Sequence, residues 1–379
     1  MTAPKTMAID ASVMARTRSG VAVYAANILR YLETDGLRCI LFSDLPLAAD
    51  LTYGHEQQVV PLPFTSQTCG RNLMAPLWLH GLLPRALDKW RPSLLWAPNF
   101  YLPWSYQRDT VATIHDLIPR QYRMHDHPYL WRKYFLLMLE RTASNASHLI
   151  VGSQYVADSL RQLYGTPASR ISVTPHGVAD EYRTPPGPEA AGALRDALAV
   201  QGHYILCLGG FLERKNVITL IRAYSQLPRD LQQQYQLLVA GPSGCEERKI
   251  RDTVRVENLE DRVLFLGRVP QRLLPDLYKL ATVFAFPSLA EGFGLPIVEA
   301  MAAGTPVLTS NTTSIPEVAG DAAILLPPTD VEAWARELQR VLTDEATHAD
   351  LRQRGYERAK RFSWPESARQ HAEIFRRFV

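Results

Sequence analysis

The chain has 379 residues, of which 46% are hydrophobic and 21% charged, and its formal net charge is +3. This length suggests two domains, each large enough for its own core. A net charge this small, without dense runs of lysine and arginine, argues against a nucleic-acid-binding protein. Four cysteines without paired short spacings argue against a zinc site and against a disulfide framework.

The N-terminal residues, MTAPKTMAID, lack the basic and then apolar layout of a signal peptide. No window of the sequence approaches the roughly 20 apolar residues that a membrane helix needs. We therefore expect a cytoplasmic protein. On this view the triplets NAS at 145 and NTT at 311 match the glycosylation motif by chance.

Short apolar runs alternate with longer amphipathic stretches in the first half of the chain. This alternation predicts parallel strands that crossover helices cover on both faces. The predicted strands are 6–10, 93–98, 110–116, 148–153 and 171–175, and the predicted helices include 20–34, 129–146 and 154–164.

The same rhythm is clearer after residue 200. The predicted strands there are 204–210, 235–241, 262–267, 282–288, 306–310 and 322–327. Between the halves, residues 180–202 concentrate proline and glycine, as expected for a connection between domains. We therefore predict two doubly wound α/β domains over 1–180 and 200–355, followed by a C-terminal helix in 356–379 that packs back on the first domain.

Ligands of open parallel sheets bind beyond the carboxyl ends of the strands. Glu291 follows such a strand and precedes a helix that we expect to begin near Pro296. Backbone amides at that helix start attract anions and hydroxyl groups. Glu291 could then accept two hydroxyls of a sugar, and Glu299, in the first turn, those of a ribose. The alternatives are a solvated loop residue at Glu291 and a helix-dipole partner at Glu299.

The segment EGFGLPIVEA (291–300) resembles the E-x7-E signature of the retaining glycosyltransferases of family 4. That family has the GT-B fold, two Rossmann-like domains facing across a cleft, and uses nucleotide-activated sugars. Further segments match the family in order and spacing, so that the resemblance spans nearly the whole chain. They are TRSGVAVYAAN (17–27), ATIHDLIP (112–119), LGGFLERKN (208–216) and FLGRV (265–269). Within the family, the chain is most similar to mannosyltransferases of bacterial O-antigens and exopolysaccharides.

The resemblance assigns roles to individual residues. Arg214 and Lys215 neutralise the departing diphosphate, which needs compensating charge. Some relatives have an arginine immediately after the glycine of this segment, where this chain has Gly210, so both cations stand later in the turn. The residues expected to bind the donor are Gly20, Arg214, Lys215, Gly267, Val269, Gly292, Phe293, Gly294, Leu295 and Glu299, and those expected at the reaction are His115, Glu291, Arg214 and Lys215. For the Arg214–Lys215 pair, a solvated basic turn is the alternative.

His115 follows a predicted strand, and in the family a histidine at this position touches the transferred sugar. A buried structural histidine oriented by Asp116 is the alternative. The chain contains no D-x-D triplet, the element that holds a divalent metal in single-domain transferases. We therefore expect no metal and no other cofactor. The HDH triplet at 125–127 is weak evidence for a metal site, and we interpret it as a polar loop.

Aromatic and cationic side chains mix between residues 100 and 135. They could grip a saccharide or rest on a membrane surface, whereas ordinary helix packing with a solvated face is the alternative. The residues are Tyr101, Trp104, Tyr106, Arg120, Tyr122, Arg123, Tyr129, Trp131, Arg132 and Lys133.

Together these features predict a retaining, metal-independent hexosyltransferase. The resemblance favours GDP-mannose as donor and a saccharide or lipid-linked saccharide as acceptor in bacterial polysaccharide synthesis, with possible peripheral contact at the inner face of the plasma membrane. UDP- and dTDP-sugars remain open as donors. A sugar-nucleotide epimerase and a non-catalytic sugar-binding protein are the rival functions.

Overall fold

The computed structural model describes residues 5–16, 19–34, 36–62, 75–121, 129–200 and 202–379. It divides into two compact units. The first unit is formed by residues 1–177 together with 364–379, and the second by residues 178–363.

The first unit contains a parallel sheet of seven strands in the order β3-β2-β1-β4-β5-β6-β7. The buried strands are runs of apolar residues, as expected for a sheet that is covered on both faces. The strands are β1 Thr6–Asp10, β2 Arg38–Ser43, β3 Glu56–Val59, β4 Leu94–Ala97, β5 Asp109–Ile114, β6 His148–Val151 and β7 Ile171–Val173.

Helices cover this sheet, and the last helix of the chain is one of them. As expected, that C-terminal helix packs in the first unit, where it contacts the helix Gly20–Tyr31. The helices are α1 Ser12–Arg16, α2 Gly20–Tyr31, α3 Leu83–Trp90, α4 Ile118–Gln121, α5 Tyr129–Asn145, α6 Gln154–Tyr164 and, at the end of the chain, α16 Trp364–Phe375; a π-helical turn, Trp78–Leu82, precedes α3, and 3-10 turns span Ala49–Leu51 and Ala168–Arg170.

The second unit contains a parallel sheet of six strands in the order β10-β9-β8-β11-β12-β13. Two apolar clusters pack against its faces, and each also includes side chains of the covering helices. The strands are β8 His203–Leu208, β9 Tyr235–Ala240, β10 Val263–Gly267, β11 Val283–Phe286, β12 Val307–Ser310 and β13 Ile324–Leu326.

Most helices of the second unit connect these strands as crossovers, whereas the first precedes the sheet and the last two follow it. The helices are α7 Ala190–Leu198, α8 Val217–Ser225, α9 Arg229–Gln234, α10 Glu247–Val256, α11 Leu274–Lys279, α12 Leu295–Ala302, α13 Ile315–Ala319, α14 Val331–Thr343 and α15 Glu345–Ala359, with 3-10 turns at Asp180–Tyr182, Glu213–Lys215 and Gln271–Leu273.

In each sheet the direction in which strands are added reverses once. The reversal lies between β1 and β4 in the first unit and between β8 and β11 in the second. Ligands of doubly wound sheets bind beyond the carboxyl ends of the strands at such a switch point. The loops that follow β8 and β11 are therefore the first place to look for a site in the second unit.

The two doubly wound α/β sheets confirm the predicted fold class, and three details differ from the prediction. Strands β2 and β3 were not predicted. Residues 180–202, expected as a connection, pack within the second unit, where Tyr182 and Leu194 are buried in its core. Residues 356–359 complete α15 rather than begin the C-terminal helix, which starts at Trp364.

Candidate active site at the ends of β8 and β11

Glycines shape the loop after β8. Gly210 has φ +76, and a Cβ there would lie 2.6 Å from the carbonyl oxygen of Pro242. The loop after β9 therefore leaves no room for a side chain at this position. The arginine that some relatives have at this position would collide with the β9 loop in this structure.

Lys215 lies at the end of the 3-10 turn Glu213–Lys215 and is buried. Its aliphatic stem packs on Gly209, where an added Cβ would lie 2.8 Å from Cδ of the lysine. Its ammonium group lies 4.8 Å from the centre of the Phe286 ring, within the range of a cation–π contact. Lys215 is therefore held in place along its whole length, which excludes the solvated basic turn.

Glu291 lies in the loop after β11, and one of its oxygen atoms receives three donors. Its Oε1 atom accepts hydrogen bonds from Lys215 Nζ at 2.7 Å, from Ser288 Oγ at 2.6 Å and from Arg214 Nη1 at 3.1 Å. Only 11% of the Glu291 side chain is exposed, so it is not a solvated loop residue. Because Oε1 already accepts these three hydrogen bonds, Oε2 is the oxygen that Glu291 can offer to a ligand, and its binding of two sugar hydroxyls stays a prediction.

The charges of this cluster stabilise one another. Burial alone would raise the pKa of Glu291, but Lys215 and Arg214, with the hydrogen bonds from Lys215 and Ser288, hold it below its ordinary value. Burial lowers the pKa of Lys215, and Glu291 opposes that effect. Two cations facing one carboxylate leave one net positive charge. The cluster can therefore attract a further anion, such as a diphosphate.

Backbone contacts tie the β8 and β11 loops together around these side chains. The amide of Leu289 donates to the carbonyl of Arg214 at 2.7 Å. Asn216, with φ +54, uses its Nδ2 atom to donate to the carbonyls of Pro287 at 3.1 Å and Pro328 at 2.6 Å. The cations and the carboxylate are thus fixed by the backbone of both loops at the switch point.

Helix α12 follows the Glu291 loop, and no side chain caps its N-terminus. Gly294 precedes the helix with φ +98, and Pro296 lies in its first turn. An N-terminus without a side-chain cap suits the binding of a ligand anion. Phe293 and Leu295 adjoin the same start: Phe293 is buried against Phe362, and Leu295 is the first residue of the helix.

Glu299 is the fifth residue of α12, so the expectation that it lies in the first turn is wrong. Its Oε2 atom accepts a hydrogen bond from the hydroxyl of Tyr278 at 3.0 Å. Burial raises the pKa of Glu299 to about 7, against the lowering effect of the hydrogen bond from Tyr278. A carboxyl group that changes charge near neutrality is typical of a functional site more than of a helix-dipole partner.

Gly267 ends β10 in a left-handed conformation, with φ +61. Its carbonyl accepts a hydrogen bond from the amide of Gly241 at 2.7 Å, which ties the loop after β10 to that after β9. Val269 is buried in the core of the second unit. The loop after β10 thus adjoins the loop after β9, and strand β9 separates β10 from β8 in the sheet.

In the first unit, Gly20 is the first residue of α2, and the hydroxyl of Ser19 caps that helix. A Cβ at Gly20 would meet nothing within 4 Å, so packing inside the protein does not require glycine here.

His115 follows β5, and its Nε2 atom donates to the carbonyl of Pro98 at 2.8 Å. Burial lowers the pKa of His115 to about 4, so the ring is neutral at physiological pH. Asp116 accepts a hydrogen bond from the amide of Ile118.

His115 belongs to a buried cluster of rings that the sequence analysis did not identify. Its ring centre lies 4.7 Å from that of Tyr24 and 5.5 Å from that of His176. His176 in turn stacks on Trp364 of the C-terminal helix, and His371 of the same helix lies 2.5 Å from the hydroxyl of Tyr24. The cluster joins the end of β5 to the last helix of the chain.

The hydrogen bonds of this ring cluster form one chain, in which the donor and the acceptor of each bond can be assigned. Nδ1 of His371 lies 2.6 Å from the carbonyl of Ser367, which can only accept, so Nδ1 carries the proton. Nε2 of the neutral ring then accepts from Tyr24, and Tyr24 accepts from the hydroxyl of Thr113 at 2.9 Å. Trp96 donates to Thr113 at 3.3 Å and completes the chain.

Comparison with known proteins agrees with this geometry. The family model described as Glycosyl transferases group 1 matches residues 196–358, and the model Glycosyltransferase Family 4 matches residues 18–182. O-antigen chain mannosyltransferase B of Escherichia coli is 34% identical over 296 residues, which cover 77% of this chain and 76% of that protein. The chain belongs to the family 4 glycosyltransferases.

Two further comparisons extend this result for the glycosyltransferase. The serotype-specific mannosyltransferase WbdA of Escherichia coli is 33% identical over 289 residues, 74% of this chain but 34% of that longer protein. Sucrose-phosphate synthase of Thermosynechococcus elongatus has a solved structure with a TM-score of 0.79 and 24% identity, covering 98% of both chains. At this identity the structural likeness shows a shared fold.

The described aromatic and cationic residues between 100 and 135 of this glycosyltransferase divide into partly buried and exposed groups. Tyr122 and Arg123 lie outside the described residues, as does the HDH triplet at 125–127. Trp104 is 45% exposed, and Arg141 lies over its ring. On α5, Tyr129 is 67% exposed and Lys133 lies 4.5 Å from its ring centre.

Residues with hydroxyl groups complete the site, and sequence reasoning missed them. Ser288 contacts the Glu291 carboxylate, and Thr313 and Ser314 contact the Glu291 backbone. A single serine or threonine carries no pattern that singles it out. The available signal was the strand order, since β11 and β12 are neighbours and their following loops must meet.

Proposed function

We propose that this glycosyltransferase transfers mannose from GDP-mannose, with retention of the anomeric configuration, to a saccharide or lipid-linked saccharide during synthesis of a bacterial polysaccharide. The observation that carries the proposal is the convergence of Arg214, Lys215 and Glu291 at the switch point of the second sheet. The choice of mannose rests on the similarity to an O-antigen chain mannosyltransferase over most of both chains.

In the proposed reaction, the acceptor hydroxyl oxygen forms a bond to C1 of the sugar while the bond from C1 to the β-phosphate oxygen breaks. The proton of the acceptor moves to an oxygen of the leaving diphosphate on the same face of the sugar. Arg214 and Lys215 compensate the charge that develops on the diphosphate. Glu291 orients the sugar through Oε2 and forms no covalent bond.

The remaining donor contacts follow from positions around this cluster. Glu299 accepts hydrogen bonds from the ribose hydroxyls, and the backbone at Gly267 to Val269 lies against the nucleobase. The segment from Gly292 to Leu295 at the start of α12 contacts phosphate or sugar oxygens. In the first unit, Gly20 allows a backbone approach to the phosphate, and neutral His115 contacts the transferred sugar.

We propose that no divalent metal takes part, because Arg214 and Lys215 supply positive charge where the diphosphate departs. Calorimetry with GDP, UDP and dTDP, each with EDTA present, tests the donor and the metal together. Tight binding of GDP alone supports GDP-mannose and metal independence. A preference for UDP or dTDP would keep the mechanism and replace the donor, and binding that requires added Mg²⁺ would contradict metal independence.

The role of Glu291 separates the transferase from its rivals. We expect Glu291→Ala to lose turnover while much of its affinity for the nucleoside diphosphate remains. Glu260→Ala, on the exposed end of the turn before β10, is the matched control and keeps full turnover. An epimerase would release the free nucleotide without glycosylating an acceptor, and a non-catalytic protein would consume no donor.

We further propose that the outer face of α5 contacts an anionic membrane surface. Among the described residues, no helix is both long and apolar enough to span a bilayer. Leu130 is 77% exposed and Leu137 43% exposed on this helix, beside Tyr129, Lys133 and Arg141. Apolar and aromatic groups interleaved with cations suit the interface of a membrane with anionic lipid.

Sedimentation with vesicles that contain phosphatidylglycerol tests this contact. We expect the wild-type protein to sediment with anionic vesicles and Leu130→Ser to sediment less. Val256→Ser is the matched control, because Val256 is equally exposed, at 77%, but lies on α10 in the second unit. Equal sedimentation of the two variants, or no binding by the wild type, would refute the membrane contact.

A further inference from the structure

The residues after β12 hold the backbone of Glu291. The amide of Glu291 donates to Oγ1 of Thr313 at 3.0 Å, and Oγ of Ser314 donates to the carbonyl of Glu291 at 2.8 Å. Two consecutive hydroxyl side chains therefore bind both polar groups of one residue's backbone. Thr312 adds a hydrogen bond to the carbonyl of Leu289 at 3.1 Å, two residues earlier in the same loop.

Ser314 is placed where it would ordinarily do something else. It is the N-cap residue of α13, a position where serine usually accepts a hydrogen bond from an amide of the first turn. Its side chain makes no such bond and instead donates to Glu291 and, at 3.3 Å, to the carbonyl of Phe293. The Ser314 hydroxyl therefore binds the Glu291 loop and does not cap α13.

Thr313 adopts a backbone conformation that its side chain disfavours. Its φ is +55, and a β-branched residue in the left-handed region is a conformational outlier. Such conformations persist where surrounding contacts fix them, and they cluster at functional sites. Here the conformation allows Oγ1 to meet the Glu291 amide.

We infer that Thr313 and Ser314 are positioning residues for catalysis, which hold Glu291 so that its free carboxylate oxygen meets the sugar. This inference rests on the proposed role of Glu291. The carboxylate is fixed at Oε1 by Ser288 and the two cations, and the backbone is fixed by Thr313 and Ser314. Together these contacts leave the Glu291 side chain little freedom to turn Oε2 away from a bound sugar.

The inference predicts a defect confined to the chemical step. Misplacing a reacting or orienting group by about 1 Å can lower a rate by about 100-fold. The proposed diphosphate contacts, Arg214 and Lys215, donate to the Glu291 carboxylate and not to Thr313, so binding of the nucleoside diphosphate should not change. A general loss of structure would lower both quantities together.

Thr313→Val and Thr313→Ser form the test pair. Valine keeps the shape and the strained conformation but removes the acceptor oxygen, whereas serine keeps the oxygen. We expect Thr313→Val to lower kcat about 10- to 100-fold with the Kd for the nucleoside diphosphate changed less than about twofold, and Thr313→Ser to restore kcat to within about threefold of the wild type. Ser314→Ala, which loses a donor instead, provides a second variant should Thr313→Val fold poorly.

Two outcomes would overturn the inference. One is wild-type kcat in both Thr313→Val and Ser314→Ala; the other is a parallel loss of kcat, nucleotide affinity and thermal stability that Thr313→Ser does not rescue. Glu291→Ala, measured beside them, keeps this failure distinct from failure of the proposed function. If Glu291→Ala also retains turnover, the role of Glu291 is wrong; if it alone loses turnover, only the positioning role is wrong.

Discussion

The ammonium nitrogen of Lys215 lies 2.7 Å from Oε1 of Glu291, and the two side chains are only 9% and 11% exposed. One residue follows β8 and the other follows β11, so the ion pair spans the switch point of the second sheet. The ion pair therefore contributes both to the stability of the two loops and to the charge of the site. Each contribution can be tested.

Removing the lysine should destabilise the protein. We expect Lys215→Met to lower the free energy of unfolding by about 3 kcal/mol, the lower end of the range for a broken buried pair, because Arg214 still faces the carboxylate. Urea unfolding measures the change. Lys360→Met, which breaks an exposed pair with Glu357, is the control and should leave the unfolding midpoint unchanged. Equal midpoints for both variants would contradict the prediction.

Nucleotide affinity should depend on the charge of Glu299. Its pKa is raised to about 7, and the ionised carboxylate accepts hydrogen bonds from ribose hydroxyls more strongly than the protonated group does. We expect affinity for the nucleoside diphosphate to rise as the pH rises through about 7. Tyr278→Phe removes a hydrogen bond that lowers the pKa, so it should move this midpoint to higher pH.

Calorimetry across a pH series measures the effect. Glu299→Gln cannot titrate, and it therefore reports the part of the pH dependence that comes from the phosphate and from other groups. The prediction fails if wild type and Glu299→Gln share one pH profile, or if Tyr278→Phe leaves the midpoint where it was.

The buried histidines of the first unit should make it sensitive to acid. Burial lowers the pKa of His115 and His371 to about 4, and burial lowers that of His176 well below its ordinary value. An unfolded histidine titrates near pH 6.5, so the unfolded chain binds more protons between that pH and about 4, and stability falls as the pH falls through this window. Each such histidine can cost about 3 kcal/mol at the acid end, at about 1.4 kcal/mol per pKa unit.

Thermal unfolding at pH 7.5 and pH 5 measures this loss. We expect His371→Gln to lose less stability on acidification than the wild type, because its amide does not titrate. It should be less stable at pH 7.5, because the ring contacts with Tyr24 and Phe375 are lost. His203→Gln, at an exposed histidine of β8, should behave as the wild type does. A loss on acidification that is the same in all three proteins would place the acid sensitivity elsewhere.

Gly210 should not tolerate a side chain. With φ +76 and the Pro242 carbonyl 2.6 Å from an added Cβ, Gly210→Ala combines backbone strain with a collision. The strained conformation alone costs about 1–3 kcal/mol. Gly187→Ala is the control, since an added Cβ meets nothing within 4 Å there. Equal thermal midpoints would show that the β9 loop yields at little cost.

The strands of the second unit could be predicted because each is a continuous apolar run between turn residues. The first unit was predicted less completely. Edge strand β3, Glu56–Val59, is polar and only partly buried, so it lacks the apolar run that predicts a strand. The neighbouring strand β2 was also not predicted. The segment 180–202 was misassigned because its prolines and glycines indicate a connection, whereas Tyr182 and Leu194 bury into the core.

For the site, the charged residues could be predicted, and what fixes them could not. Arg214, Lys215 and Glu291 follow strands and match a family signature. Thr313 and Tyr278 act through contacts between segments that are distant along the chain, and these contacts exist only once the strand order is known. That one oxygen of Glu291 is already occupied is likewise a property of the folded loop.

The route of the chain has a consequence for how the protein is made. The second unit, 178–363, is a continuous piece, but the first unit includes residues 364–379, so it is interrupted by the whole of the second. Tyr24 finds its partner His371 only after the ribosome has synthesised the whole of the second unit. Domains usually fold in the order in which they are synthesised; here the unit that begins the chain is the last to close its core.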